Sequence, residues 1–319
     1  MRGAWRDVGG WPQPRHFLIH RRASMPRMSE AHGNGTAPSA GAAIEHEVAV
    51  RLTQRVWRVT ASNAGAMTGP GTNSYVIAAG DECAVIDPGP ADERHLQALL
   101  EAARGAIRYI LVTHTHRDHS PGAAALKSAT GALLLGRTTP HRHWQDPTFA
   151  PDRELHHGDR LTVAGGATLR IVHTPGHASN HICFLLEEER ILFTGDHIIQ
   201  GSTVVIDPPD GDMAAYLASL EFLLKEPLAC LAPGHGTLIA DPVAAIRGLI
   251  EHRLRREAKV LSALPRQQPA DLAALVHRVY DDVAAQLYPL AERSLLAHLL
   301  KLESEGRAMR VGDSWMLAT

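Results

Sequence analysis

Four side chains that bind cations well fall within six residues: His114, His116, Asp118 and His119, in the run Thr113-His-Thr-His-Arg-Asp-His-Ser120. The run follows the apolar Ile110-Leu111-Val112, where a strand should end. In an extended segment residues i and i+2 point the same way, so His114 and His116 can grip one cation. Asp118 and His119, past the bend, can face a second. Neutral imidazole and carboxylate suit zinc, and also iron or manganese. A lone histidine in a chain holding 20 of them is more often surface or packing. The cluster therefore needs a second half.

Three later segments supply it. His173-Thr-Pro-Gly-His177, Thr194-Gly-Asp196 and Ala232-Pro-Gly-His235 each set a His or Asp beside a glycine at the end of an apolar run, where the backbone must turn sharply. Strand ends along one sheet edge converge in space, so His177, Asp196 and His235 can meet the first cluster. Five histidines and two carboxylates are enough for two metals, with Asp196 able to bridge them. Two metals about 3.5–4 Å apart hold a hydroxide and neutralise charge on the scissile group, and metal binding brings water's pKa from about 15.7 to about 7. The chemistry this set predicts is hydrolysis at a carbonyl or phosphorus centre by a zinc-bound hydroxide.

The elements that would position these residues can be read in order. Val48 to Val59 is strand-like, and Ser74–Ala78 and Cys83–Asp87 are two strands joined at Gly80-Asp81. A helix is expected from Asp92 to Arg104, then a strand from Ile107 to Thr113. Ser120-Pro121 should open the next helix, with Ser as N-cap and Pro at the first position. Arg160–Val163, Thr168–His173, His181–Leu186, Ile191–Thr194 and Leu228–Ala232 read as short strands, with a helix from Met213 to Lys225. Strands and helices in both halves predict two packed sheets with helices outside, an α/β fold. From about Asp241 the chain turns helical: Ala244–Leu261, Asp271–Tyr280 and Leu290–Glu305, followed by a hairpin through Gly312-Asp313. That is the order of a winged helix.

The chain has 319 residues, enough for two domains. Its formal net charge of −2 leaves no global basic footprint for nucleic acid. The three cysteines are far apart and form no C-x-x-C, which excludes a disulfide framework or a cysteine zinc site and fits a reducing compartment. No run approaches 18 apolar residues, so no membrane span is expected. Residues 1–43 are arginine-rich with a Gly/Ser linker and have a transit-peptide flavour. The reading favoured here is a disordered tail, or a mis-called start with Met25 or Met28 as the true one. A cytoplasmic protein is expected, mitochondrial if the source is eukaryotic.

With the motifs in place, the sequence resembles the metallo-β-lactamase superfamily over roughly residues 44–240: "THTHRDHS", "HTPGH", "FTGDH" and "PGHG" match its motifs. The resemblance implies an αββα sandwich over residues 44–243 with a dinuclear site at one sheet edge, followed by a winged-helix domain over 244–319. By position, His114, His116 and His177 would hold the first metal. Asp118, His119 and His235 would hold the second, with Asp196 bridging. "GPGTNSY", "GHASNH", "STVVIDPPDGDMAAYLASL" and the winged helix narrow the resemblance to the beta-lactamase-like protein 2 group, whose eukaryotic members are known as endoribonucleases on single-stranded RNA.

The function expected from this is a metal-dependent hydrolase with two Zn2+. Single-stranded RNA is the first substrate expectation; a thioester or ester of the hydroxyacylglutathione type is the alternative. A nucleic-acid regulator with a vestigial hydrolase domain is disfavoured by the complete ligand set. Asp118 is expected to orient the hydroxide and act as general base, with His181 or a bound water as candidate leaving-group acid. Asp87 is expected to steady the site, Thr72 and Asn73 to border the pocket or form a plain turn, and Tyr216 to pack, with substrate contact the minority reading. His173, His141, His143, His156 and His157 are read as structural, surface or packing. Arg247, Arg253, Arg255, Arg256 and Lys259 are read as a solvated helix face. The winged helix itself could bind nucleic acid, cap the pocket or make a homodimer contact.

Overall fold

The computed structural model describes residues 44–163 and 165–318, so the expectations for residues 1–43 lie outside the described residues. Two sheets face each other. The first runs in the order β1 (Val50–Arg51), β2 (Val56–Thr60), β3 (Asn73–Ala79), β4 (Glu82–Ile86), β5 (Ala106–Leu111), β6 (Leu133–Gly136) and β7 (Arg153–Glu154). It is antiparallel from β1 to β4 and parallel from β4 to β7. The second holds β8 (Arg160–Val163), β9 (Ala167–His173), β10 (Ile182–Leu186), β11 (Ile191–Gly195) and β12 (Cys230–Pro233), with only β11 and β12 parallel.

Tyr75, Ile77, Ile86 and Leu111 of the first sheet meet Leu169, Ile171, Phe184 and Phe193 of the second in the central core. Both sheets are also covered outside. Helices α1 (Glu93–Ala102) and α2 (Gly122–Thr130) pack Leu99 and Leu126 on Val76, Val85 and Ile110. Helix α3 (Met213–Leu223) packs Tyr216, Leu217 and Leu220 on Val172, Cys183 and Leu231. Covering both faces is why β3 and β10 are buried at every residue and show no alternation.

Four helices begin at an aspartate whose side chain accepts from the first-turn amides: Asp92, Asp212, Asp241 and Asp271. Helix α2 differs from expectation. It starts at Gly122 with no side-chain cap, because the Ser120 hydroxyl donates to Asp146 Oδ2 at 2.8 Å instead. The expected strand Val48 to Val59 is two, split where Thr53 Oγ1 accepts from the amides of Arg55 and Val56 and turns the chain. Strands β6 and β7 were not foreseen. β6 is an apolar run directly after a helix, and β7 is two exposed residues without a period.

The C-terminal elements are α4 (Pro242–Ala263), α5 (Leu272–Val279), α6 (Tyr288–Ser304) and the hairpin β13 (Ala308–Val311) and β14 (Ser314–Leu317), in the winged-helix order. Val260, Leu275, Leu295, Leu299 and Trp315 form their own core. Ile246 of α4 and Ala297 of α6 join the α3 cluster, so the C-terminal helices and the sandwich belong to the same compact unit, Ala40–Thr319. No helix among the described residues is long and apolar enough to cross a membrane.

Candidate metal centre and cleft

Strands β4, β5, β9, β11 and β12 all end at one edge of the sandwich; Asp87 follows β4, and the seven predicted ligands follow the carboxyl ends of the other four. Main-chain and side-chain bonds stitch the two sheets together at this edge. The Asn73 amide donates to Gly234 O at 2.7 Å, the Ile182 amide to Thr113 O at 2.8 Å, and Tyr75 OH to Pro233 O at 2.7 Å. The Asn73 side chain donates to the carbonyls of Pro233 and Gly236. Asn73 therefore belongs to this seam and not to the pocket.

The glycines beside the ligands act in two ways. Gly176 has φ +140, and a Cβ there would stand 2.3 Å from the Tyr216 Cα. Gly234 has no left-handed φ; its hydrogen makes room, since a Cβ would lie 2.8 Å from both Asp196 Oδ1 and His119 Cε1. The sharp turn expected beside every ligand is thus replaced at His235 by close approach.

The structure gathers all seven predicted ligands into three overlapping groups that could hold a metal ion: His114, His116 and His177; His114, His119 and Asp196; Asp118, His119 and His235. His114 Nε2 and His177 Nε2 lie 2.9 and 3.0 Å from His116 Nδ1. His119 Nε2 is 3.3 Å from Asp118 Oδ2 and from Asp196 Oδ1. His235 Nε2 is 3.4 and 3.2 Å from the same two oxygens. Two donors each about 2.1 Å from one tetrahedral ion stand about 3.3 Å apart, so these separations fit a shared ion. His119 Nε2, His235 Nε2 and Asp196 Oδ1 are buried with no hydrogen-bond partner in the chain. Buried polar atoms are nearly always satisfied. Three that face one another without partners fit cations between them.

The opposite ring nitrogens of four of the five imidazoles are committed. His177 Nδ1 donates to Val205 O at 2.8 Å, His235 Nδ1 to Gly71 O at 3.1 Å, and His119 Nδ1 to Asp87 Oδ2 at 2.9 Å. Thr113 gives its hydroxyl proton to Asp87 at 2.7 Å, which leaves its oxygen to accept from His114 Nδ1 at 3.1 Å. Each bond turns the Nε2 lone pair inward, the arrangement that fixes metal-ligating imidazoles. Asp87, held at φ 48, therefore anchors two ligands at once. Thr72 Oγ1 donates to Asp118 Oδ2 at 3.0 Å.

The electrostatics agree. Burial, with neighbouring rings, pushes His114 well below the ordinary imidazole value and His116 down to about 3, so both stay neutral. Burial alone would raise Asp118 and Asp196, but the imidazoles of His119 and His235 outweigh it and keep both ionised. Burial would lower His119 and His235 too. Asp118 and Asp196 reverse it, raising His119 well above its ordinary value and His235 to about 10. Two ionised carboxylates facing two imidazoles make a place that favours positive charge.

Above the ligands lies a cleft of about 570 Å³. His116, Asp118, His177 and Asp196 are at its floor, and Met67, Trp144, Val205, Pro208 and Leu290 supply apolar walls. Two residues that sequence reasoning assigned to surface or packing, His141 and His143, also line it. Their loop is drawn over the site by the pairing of His116 with Gln145 and by the Asp146 amide, which donates to Thr115 O at 2.6 Å. Trp144, Asp210 and Arg293 were missed altogether. Arg293 of α6 pairs with Asp207 at 2.6 Å and lies over the Trp144 ring, so the winged helix walls the cleft.

His181, expected as an acid, is fully buried behind the ligands. Its ring centroid is 5.0 Å from that of His114, and Thr174 Oγ1 holds its Nδ1 at 2.9 Å. Burial keeps it well below the ordinary imidazole value. Tyr216 is also buried under the site, with its hydroxyl donating to His197 O at 3.0 Å and no surface toward the cleft. His173 lies 3.4 Å from Ser179 O.

The α4 basic face is solvated at Arg247, Arg255 and Lys259 but not at Arg253 and Arg256. Arg253 is 3% and Arg256 7% exposed. Arg253 reaches across to donate to Val204 O at 2.5 Å, stacking over Tyr216. Arg256 binds Asp282 and Val279 O. Sequence alone cannot separate these from Arg255, because periodicity does not say which partner waits across the helix.

Comparison with known proteins adds to this geometry. Residues 67–235 match the model of the metallo-beta-lactamase superfamily, and residues 272–315 that of the beta-lactamase associated winged helix domain. The chain is 35% identical over 280 residues to the beta-lactamase-like protein 2 homolog of Drosophila melanogaster, covering 83% of this chain and 92% of that one. It is 36% identical over 219 residues to an atrochrysone carboxyl ACP thioesterase of Aspergillus chevalieri, covering 67% of each. A beta-lactamase domain protein from Burkholderia ambifaria shares the fold, with TM-score 0.73 and 20% identity over 88% of this chain and 96% of that one.

Proposed function

The chain belongs to the metallo-β-lactamase superfamily, and within it we propose that this protein is a dinuclear zinc hydrolase of acyl thioesters. The carrying observation is the cleft: apolar walls from Met67, Trp144, Val205, Pro208 and Leu290 stand over a floor of metal-ligating residues. An acyl chain suits such walls. An RNA strand calls for a track of free cations, and on α4 Arg253 and Arg256 are buried and Arg255 is paired, so its arginines do not form a continuous one. Relatives named as ACP thioesterases support the reading.

Five imidazoles and two carboxylates are a donor set for zinc, with iron or manganese as alternatives. His114, His116 and His177 would hold one ion and Asp118, His119 and His235 the other, with Asp196 shared. The ions supply Lewis acidity toward the carbonyl and acidify water. The chain does the rest. Thr72 fixes Asp118, whose ionised carboxylate orients the attacking water and accepts its proton. Val205, Gly71 and Asp87 hold three imidazoles in one tautomer. Met67 and Trp144 exclude solvent from the acyl group. An ordinary thiol has a pKa of about 8.5, so a thiolate leaves without a dedicated acid. His181, behind the ligand rings, is read as a support for them.

The test sets metal-loaded protein against an acyl thioester and an end-labelled single-stranded RNA, with Asp118→Ala prepared identically. Thiol release by the wild type alone is the expected result. RNA cleavage that needs Asp118, without thiol release, overturns the thioester reading in favour of the endoribonuclease one.

A further inference from the structure

The charged side chains that line the cleft divide into the committed and the uncommitted. Asp118 and Asp196 are ligands by geometry. Asp207 holds Arg293 at 2.6 Å. Asp210 accepts from the Ser179 amide at 3.1 Å and from Gln145 Nε2 at 2.8 Å. Arg117 and Arg142 also line the cleft, and neither has an ion-pair or hydrogen-bond partner among the described residues.

Their places are fixed although their heads are free. Arg117 sits inside the ligand run, on a turn closed by the His119 and Ser120 amides donating to His116 O at 3.0 and 3.3 Å. Arg142 sits on the loop that the His116–Gln145 pairing and the Asp146–Thr115 bond tie to that same run. Main-chain bonds between two distant segments thus bring two unpaired guanidinium groups to one cleft. A neutral substrate gains nothing from them.

We propose that Arg117 and Arg142 form an anion subsite for the thiol half of the substrate, selecting thioesters of a phosphorylated thiol of the phosphopantetheine kind. The inference rests on the thioester reading and names its substrate class. A phosphate offers one negative charge as a diester and nearly two as a monoester, with at least two acceptor oxygens in either case, which suits guanidinium forks. The apolar walls take the acyl half. The reaction balances without a co-reactant: the carbonyl C–S bond breaks, a C–O bond to water forms, and water's protons pass to the thiolate and to solvent. The same phosphate group can come from a soluble coenzyme or from a carrier protein.

The experiment measures kcat/KM of the metal-loaded protein for one acyl group on pantetheine, on phosphopantetheine, on coenzyme A and on a phosphopantetheinylated carrier protein. The phosphorylated thioesters are expected to exceed acyl-pantetheine by about 10- to 100-fold, chiefly through KM, as charge-assisted hydrogen bonds would provide. Arg142→Ala and Arg117→Ala should each narrow that ratio, and the lysine variants should restore part of it. Metal content, measured beside the kinetics, separates loss of the subsite from loss of the metals. The carrier arm outrunning coenzyme A assigns the source to a carrier, and the reverse to a soluble coenzyme. Equal rates with and without the phosphate, or a ratio unmoved in both alanine variants, overturn the subsite while the thioester reading stands. No thiol release from any of the four sinks both.

Discussion

The arginines of α4 and those of the cleft look alike in the sequence and end in opposite environments. Arg253 and Arg256 are buried and bonded to carbonyl oxygens and an aspartate. Arg117 and Arg142 are exposed and have no partner among the described residues. The difference separates two uses of one side chain. Of the helix cations, Arg253 holds α4 on the sandwich and Arg256 ties α4 to α5 and the residues after it. The cleft cations are left for something the chain does not supply. Arg253 shows how far the first use reaches: it binds Val204 O, and the next carbonyl, Val205 O, orients His177. A residue of α4 thereby bears on the segment that orients the candidate ligand His177.

The comparison can be broken at several points. The largest effect belongs to the floor of the cleft. His116→Ala should lower activity by more than the roughly 10- to 100-fold that losing an outer partner of a ligand costs, read by initial rates at saturating metal. Next is the ion cluster behind α4. Glu257, 4% exposed, binds Lys301 at 2.8 Å and Arg307 at 3.1 Å. Glu257→Ala should cost about 3 kcal/mol of stability, the scale for breaking a buried pair, read by denaturant unfolding.

That cluster also has a pH signature. Burial alone would raise the Glu257 carboxyl, but His298 and Lys301 bring it down to about 2 from 4.5. Its stabilisation is then fully present above the unfolded value and is lost as pH falls from about 4.5 toward 2. Wild type and Glu257→Gln should converge in stability across that window. A constant gap would remove the ion pair from the account.

Arg253→Met comes next. It should weaken metal binding by about 10- to 100-fold, measured by chelator competition, with Arg253→Lys recovering part. An unchanged affinity would confine Arg253 to packing. Smallest is Arg255→Ala. Arg255 makes only an exposed pair with Glu251, and stability should move by no more than about 0.5 kcal/mol.

The seven candidate ligands stood out in the sequence because metal chemistry restricts residue type, and glycines marked the strand ends that carry three of them. The sheets were legible through apolar runs, and the C-terminal helices through their period. What could not be read depended on partners distant in the chain. His141 and His143 reach the cleft because Gln145 pairs with His116, a main-chain contact with no signature of its own. Ser120 left its capping role for Asp146, 26 residues away. Arg253 was misplaced for the same reason: helical spacing gives the buried face, not what lies against it, whereas Tyr216 packs as its position on α3 suggested.

The central claim is that one cleft floor holds two metals. The most direct measurement is metal bound per chain after loading and dialysis, in the wild type and in His235→Ala, a residue of the Asp118, His119 and His235 group only. The account predicts two equivalents in the wild type and about one in the variant. A wild type that retains one equivalent or none, or a variant that still retains two, would contradict it.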